Sequence, residues 1–296
     1  MVGSLNCGNG APAWFQRAAA GSLVGAPLAT GFPYDLVPGL QVSALAGYDA
    51  CGANATAWAQ YAGDPNYNLL SPCCAAMNSN NPGALGFTTL GQATMDYLVS
   101  AGAGRAAFVR YWRLLAEAVR AHPSAVAAEL MNEPMTVRRT AAFDTWREAG
   151  LAITAAVPDM AVAVCDIGEA VLLPDWLVGI VGDAAISNET LAWIEGSRSV
   201  FLAWHWYGLP QNASEGVQEA LALGARWGVP TILTEFGDCA AWRAAASANV
   251  SHLYWHYSAY CTTGPSFGNR KVPDDTFGAC ILGWASGDSS YNCSAS

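Results

Sequence analysis

The stretch AVAAELMNEP, residues 125–134, joins an apolar run of strand length to a glutamate that stands directly before a proline. Segments of helical period flank the run on both sides, and we predict helices over 105–122 and 139–156. A short apolar run between two such helices is typical of a buried strand in a parallel sheet. Glu133 should therefore lie at the carboxyl end of a strand over 125–131.

The same alternation continues towards the C-terminus and indicates an α/β fold. Five strands with crossover-length helices between them are the mark of a parallel sheet or barrel covered on both faces. The remaining predicted elements are a strand over 160–166, a strand over 199–207, a helix over 214–228, a strand over 230–237, a helix over 239–250 and a strand over 251–257.

Residues 1–104 differ from this pattern. They are rich in Gly, Pro, Asn and Ala and show short candidate helices only around 11–20 and 88–101. No repeat or charged linker marks a boundary, so we expect one domain over 1–296, with a loop-rich segment over 1–104 and the strands and helices over 105–296.

Composition excludes several classes of function. The chain of 296 residues is 53% hydrophobic and 12% charged, and its net charge of −10 speaks against binding to a phosphate backbone. No window of 18 uninterrupted apolar residues occurs, so no transmembrane helix is predicted. The sequence contains no GxGxxG, P-loop, HExxH or GxSxG motif, and we expect neither a cofactor nor a metal ion.

Polar and aromatic residues follow several of the predicted strands. Glu133 follows the strand 125–131, His205 and Tyr207 close the strand 199–207, Glu235 closes the strand that begins at 230, and Trp255 lies near the end of the last strand. In a (β/α) barrel these ends form the rim where active sites are built. Two glutamates at such a rim suit glycosidic bond cleavage, in which one carboxylic acid protonates the leaving oxygen and the other carboxylate attacks the anomeric carbon.

The motifs LMNEP, HWY and LTEFG, in this order and spacing, resemble glycoside hydrolase family 5 over roughly 105–260. The resemblance implies a (β/α)8 TIM barrel and a retaining β-glycosidase, with Glu133 as the acid/base and Glu235 as the nucleophile. It further implies that Asn132 donates a hydrogen bond to the sugar 2-hydroxyl, that His205 and Tyr207 line the site, and that Trp255 stacks on the sugar.

The segment CGNGAPAWF at 7–15 resembles a Gly-rich loop of the endoglycosylceramidase type of that family, where it follows the third barrel strand. The family's first three strands, with a substrate-binding Arg and a His, have no counterpart here, and none of the four histidines stands at that position. The expected architecture is therefore a barrel that is incomplete at its N-terminus, with strands four to eight. We expect a weak or inactive catalyst for this reason.

Cysteines and glycosylation motifs favour the secretory pathway. The chain has nine cysteines, and Cys165, which lies in an apolar run, is expected to be a free buried thiol. The other eight could form four disulfide bonds, whose connectivity the sequence does not define. N-x-S/T motifs occur at Asn54, Asn188, Asn212, Asn249 and Asn292. The start MVGSLNCGNG has no features of a signal peptide. We expect that a signal peptide was lost together with the missing strands.

The predicted substrate is a glycolipid such as glucosylceramide, or else a β-glucan. The stretch GSLVGAPLATGFPYDLVPGL, residues 21–40, could present an apolar patch to a lipid aglycone, although it could equally fold onto the barrel. Peripheral contact with lipid is compatible with this, and no nucleic acid or obligate protein partner is expected. The alternative is a catalytically inactive remnant that binds carbohydrate, since a binder needs only the aromatic platform.

Overall fold

The computed structural model describes residues 13–23, 29–37, 86, 88–165, 185–206, 212–236, 239–253, 260–262 and 269–271. The chain forms two compact units, the first over Met1–Val200 and the second over Phe201–Ser296. The first unit contains α1 (Ala13–Ala20), α2 (Thr89–Val99), α3 (Ala103–Val119), β1 (Ala127–Glu129), α4 (Arg139–Ala156), β2 (Ala161–Cys165) and α5 (Asn188–Gly196), with two 3-10 turns at Gly21–Leu23 and Tyr34–Leu36.

The second unit begins at Phe201, within β3 (Val200–Trp206). Its further elements are α6 (Ala213–Trp227), β4 (Thr231–Phe236), α7 (Cys239–Ser247), β5 (Ser251–His252), β6 (Tyr260–Thr262) and β7 (Asn269–Lys271). The first five strands form a parallel sheet in the order β1-β2-β3-β4-β5, which confirms an α/β fold, and β6 pairs antiparallel with β7. The incomplete eight-stranded barrel and the single domain over 1–296 stay predictions.

In the first unit the helices α2, α3 and α4 pack against one another around buried aromatic side chains. The rings of Phe108 and Trp146 lie 5.7 Å apart, and the Trp146 indole N–H donates to the Cys165 carbonyl oxygen at 3.2 Å, which attaches α4 to β2. The Arg105 guanidinium donates to the Val99 carbonyl oxygen and pairs with Glu148 at 3.1 Å. This arginine therefore joins the end of α2 to α3 and α4.

In the second unit α6 and α7 cover one face of β4. A buried apolar cluster on that face combines β-strand and helix side chains, namely Trp204, Trp206, Ala213, Val217, Ala220, Leu233, Phe236, Ala241, Ala245 and Val250. Gly228 ends α6 in the left-handed region, at φ 68°, where a residue without Cβ adopts the turn at little cost. The next residues enter β4 directly.

The predicted helices and strands over 105–253 are present, with boundaries that differ by a few residues. The predicted helix over 139–156 occurs as Arg139–Ala156, whereas α7 stops at Ser247 because Asn249 takes a left-handed backbone with φ 56°. Of the strand predicted over 251–257, Ser251–His252 is observed and 254–257 lie outside the described residues. The candidate helices near 11–20 and 88–101 occur as α1 and α2.

Helix α5 and the β6–β7 ribbon were not predicted. The α5 sequence NETLAWIEG is short and has no clear apolar period, so only its cap could have revealed it. The Ser187 hydroxyl accepts a hydrogen bond from the Thr190 N–H at 3.2 Å, and both side chains donate to Asp144 on α4. A cap of this kind is a weaker signal than apolar periodicity.

The described residues bear on one of the predictions about secretion. Cys165 is a buried thiol that takes part in no disulfide bond, as predicted. Asn188, Asn212 and Asn249 lie at exposed positions, which is compatible with glycosylation. Secretion, glycosylation and disulfide pairing stay predictions. Among the described residues, no helix is both long enough and apolar enough to cross a membrane.

Candidate active site

A β-bulge aligns two of the predicted site residues in the second unit. Trp204 lies opposite Leu233, but the next residue, His205, lies opposite Glu235, so that Thr234 is an extra residue in β4. The Thr234 hydroxyl donates to the Trp204 carbonyl oxygen at 3.4 Å. Bulges of this kind re-aim side chains, and this one changes which residues of the two strands share a face.

His205 and Glu235 share one face of the β3–β4 pair as a result. Residues opposite each other on neighbouring strands point to the same side of a sheet. Their neighbours Trp206 and Phe236 pack in the apolar cluster under α6 and α7, on the other side. A regular register would have placed His205 opposite Thr234 and separated it from Glu235.

The two side chains are almost completely buried and lie close together. His205 is 2% exposed and Glu235 is 5% exposed, and His205 Nδ1 lies 3.6 Å from Glu235 Oε2. This distance suits an ion pair when the imidazole is protonated, whereas a direct hydrogen bond would be shorter. A buried carboxylate with an imidazole beside it, near the carboxyl end of a parallel strand, can act as a nucleophile or a base.

Glu133 lies in the first unit, in the loop that follows β1. The Leu130 N–H still donates to the Ala163 carbonyl oxygen at 3.2 Å, and the chain then leaves the strand through Met131 and Asn132. Glu133 has φ 46°, a left-handed conformation that costs a non-glycine residue about 1–3 kcal/mol. The residue is partly exposed. Strained backbone of this kind is concentrated at functional sites.

The other predicted site residues are Asn132, Tyr207 and Trp255, of which the structure describes Asn132. Asn132 is 8% exposed, and its Oδ1 has no hydrogen-bond partner within the described part of the chain. An amide oxygen in this state can accept a hydrogen bond from a ligand hydroxyl. Tyr207 and Trp255 lie outside the described residues.

Sequence reasoning missed two polar residues beside the Glu133 loop. Glu129, within β1, accepts a hydrogen bond from the Cys165 thiol at 3.7 Å. Gln92, on α2, donates from its side-chain amide to the Met135 carbonyl oxygen at 3.0 Å. Both look like ordinary surface positions in the sequence, and only an unexpected polar residue within an apolar element could have marked them.

Three of the predicted site residues also have the chemistry of metal ligands. Glu133 and Glu235 offer carboxylate oxygens and His205 offers imidazole nitrogens, which are common donors to metal ions. The same three groups suffice for acid–base and nucleophilic chemistry without an ion. The prediction that the chain uses no metal therefore stays a prediction.

Comparisons with known proteins gave only distant likenesses. No family model and no curated protein matches the chain. Among solved structures, Endo-glycoceramidase II from Rhodococcus sp. in a cellobiose-like isofagomine complex is similar with 18% identity and a TM-score of 0.47, over 64% of this chain and 48% of that chain.

Two further similar structures are endoglucanases. One, named only endoglucanase, has 15% identity and a TM-score of 0.40, over 58% of this chain and 65% of that chain. Endoglucanase Cel5A from Thermotoga maritima has 13% identity and a TM-score of 0.39, over 55% and 62%. The matches thus span less than two thirds of these chains. Likeness at this level is partial.

Proposed function

We propose that this chain is a retaining β-glycoside hydrolase in which Glu235 is the nucleophile and Glu133 is the acid/base. The observation that carries the proposal is the pairing of the buried Glu235 with His205 near the carboxyl end of β4. Glu133 follows β1, a strand of the same parallel sheet, and active sites of α/β proteins use the residues that follow such strands.

In the proposed mechanism a Glu235 oxygen attacks the anomeric carbon. The glycosidic C–O bond breaks as Glu133 gives its proton to the leaving oxygen, and a covalent glycosyl-enzyme forms. Glu133 then removes a proton from water, and the hydroxide oxygen attacks the anomeric carbon and releases Glu235. Two inversions leave the β-configuration unchanged. This chemistry requires carboxyl groups about 5–5.5 Å apart. Asn132 would bind a sugar hydroxyl.

A glycolipid such as glucosylceramide is the first proposed substrate class, and a β-glucan is the second. In the apolar stretch 21–40, Phe32 and Leu36 are exposed, which supports a surface that can contact a lipid aglycone. The alternative function, carbohydrate binding without catalysis, needs the same sugar contacts but no reactive carboxylate.

The test follows the anomeric proton by NMR while the protein hydrolyses an aryl β-glucoside. We expect the β-anomer as the first product, and an initial α-anomer would contradict the proposal.

Glu235→Gln should lower kcat by about ten-thousandfold or more because the nucleophile is removed. If the parent shows no turnover, and both the parent and Glu235→Gln bind sugar, the result would favour a carbohydrate-binding protein without catalysis. Comparing glucosylceramide with cello-oligosaccharides separates the two substrate classes.

A further inference from the structure

Helix α2 holds the loop that carries Glu133. This loop, residues 131–137, is buried along most of its length, including Met131, Met135, Thr136 and Val137. A buried loop has no regular ladder to satisfy its backbone carbonyls, so side chains must supply the partners. The contacts come from a helix that lies some forty positions earlier in the sequence.

Gln92 supplies the central contact. It is 7% exposed, and its side-chain amide donates both to the Gly86 carbonyl oxygen and, at 3.0 Å, to the Met135 carbonyl oxygen. Met135 is two residues beyond Glu133, and only Pro134, with its restricted φ, lies between them. A shift of the Met135 peptide therefore passes directly to the backbone of Glu133.

Two further contacts limit the movement of the same loop. A Cβ added at Gly86 would lie 3.0 Å from the Met135 Cβ, so the backbone at residue 86 already packs tightly against Met135. At the end of the loop, Arg138 Nε pairs with Asp96 Oδ1 of α2 at 3.3 Å. This ion pair is partly exposed and contributes less than the buried amide contact.

We propose that Gln92 is a positioning residue for Glu133, acting through its hydrogen bond to the Met135 carbonyl oxygen. The proposal rests on the proposed function of Glu133 as the acid/base. Left-handed backbone persists at a non-glycine residue only when its surroundings hold it there, and Gln92 and Gly86 provide that support at Met135. Acid–base catalysis depends steeply on such placement, since an error of about 1 Å can cost about a hundredfold in rate.

The test compares Gln92→Met with Thr94→Val in the full chain. Methionine has nearly the shape of glutamine but no N–H donor. Thr94 lies on the same helix, is 1% exposed, and its hydroxyl donates only to the Leu90 carbonyl oxygen of its own helix at 2.8 Å, so its variant controls for general loss of stability.

For Gln92→Met we expect kcat on an alkyl β-glucoside to fall about tenfold to a hundredfold, with KM nearly unchanged. The loss on a dinitrophenyl β-glucoside should be smaller when azide is present. Such a leaving group needs no proton, and azide attacks the anomeric carbon of the glycosyl-enzyme without a base. Thr94→Val should behave like the parent. Equal losses on both substrates, or the same pattern in Thr94→Val, would overturn the proposal.

Hydrogen exchange over 131–137 separates this proposal from the proposed function. Exchange should rise in Gln92→Met and stay at the parent rate in Thr94→Val. If the parent hydrolyses no β-glucoside, the proposed function fails, and equal exchange in the two variants would refute the positioning role as well. If Gln92→Met does not fold, Gln92→Asn takes its place, because it keeps the amide but shortens the side chain and withdraws its N–H from the Met135 carbonyl oxygen, and the same pattern is required of it.

Discussion

The two glutamates proposed for catalysis are supported in opposite ways. Glu235 belongs to a strand, is 5% exposed, and owes its orientation to the pairing of β4 with β3. Glu133 belongs to a loop, has a left-handed backbone, and depends on side-chain contacts made by α2 to Met135. One carboxylate is therefore held by a sheet and the other by a helix distant in sequence.

This difference suits the two roles. A nucleophile attacks one atom along one direction, and a strand with paired neighbours holds such a group rigidly. An acid/base serves first the leaving oxygen and then a water molecule, and a loop position is compatible with two such partners. The comparison predicts that changes around Glu133 alter proton transfer, whereas changes around β3 and β4 alter the stability of the second unit.

The largest of the remaining effects is expected for Glu133→Gln. Removing the acid should lower kcat by about a hundredfold to ten-thousandfold on an alkyl β-glucoside, and the first, glycosylation step should suffer far less with a dinitrophenyl leaving group. Stopped-flow release of dinitrophenol measures that step. Glu117→Gln, which removes an exposed partner of Arg113, is the matched control and should leave both rates unchanged. Equal losses on both substrates would show that Glu133 is not the acid.

A smaller effect, on stability alone, is expected for Gly216→Ala in α6. The added Cβ would lie 2.5 Å from the Trp206 ring, so β3 and α6 must separate, at about 1–3 kcal/mol. Urea unfolding measures this loss. Gly196→Ala is the control, because nothing lies within 4 Å of its added Cβ, and it should be neutral or slightly stabilising. Equal stability of the two variants would mean that the Trp206 contact does not constrain β3.

The smallest effect is expected at alkaline pH in the first unit. Burial, and to a lesser degree the Asp96 charge, raise the pKa of the Tyr34 phenol above its usual value. Above about pH 10 the unfolded chain ionises this phenol while the folded chain does not. The buried phenol stabilises the folded state fully below that pH. Above it, the free energy of unfolding falls by up to about 1.4 kcal/mol per pH unit.

Tyr34→Phe removes this titration, so the unfolding free energy of the parent should fall relative to that of the variant between pH 8 and pH 11. Urea unfolding at both pH values measures the change. Tyr111→Phe, at an exposed position, is the control for the loss of a tyrosine hydroxyl. A Tyr34→Phe difference that is the same at both pH values would contradict the assignment.

Much of the parallel sheet could be predicted from apolar runs and helical periods, because burial on both faces leaves a strong pattern in sequences such as AVAVC and VFLAWHW. Candidate site residues could be predicted where a polar side chain interrupts such a run, as at His205 and Glu235. Helix α5 was not predicted because the N-cap residue Ser187 is a weak sequence signal for a helix. Gln92 was missed because a buried glutamine in a helix looks like a surface residue.

The sequence by itself determined the order of the elements and the types of side chain that follow them, since these depend on local pattern and composition. Only the tertiary structure decided the extra residue at Thr234 that turns Glu235 to the face of His205, and the contact from Gln92 that supports the Glu133 loop. Register and long-range hydrogen bonds arise from contacts between segments distant in sequence, and no local pattern encodes them.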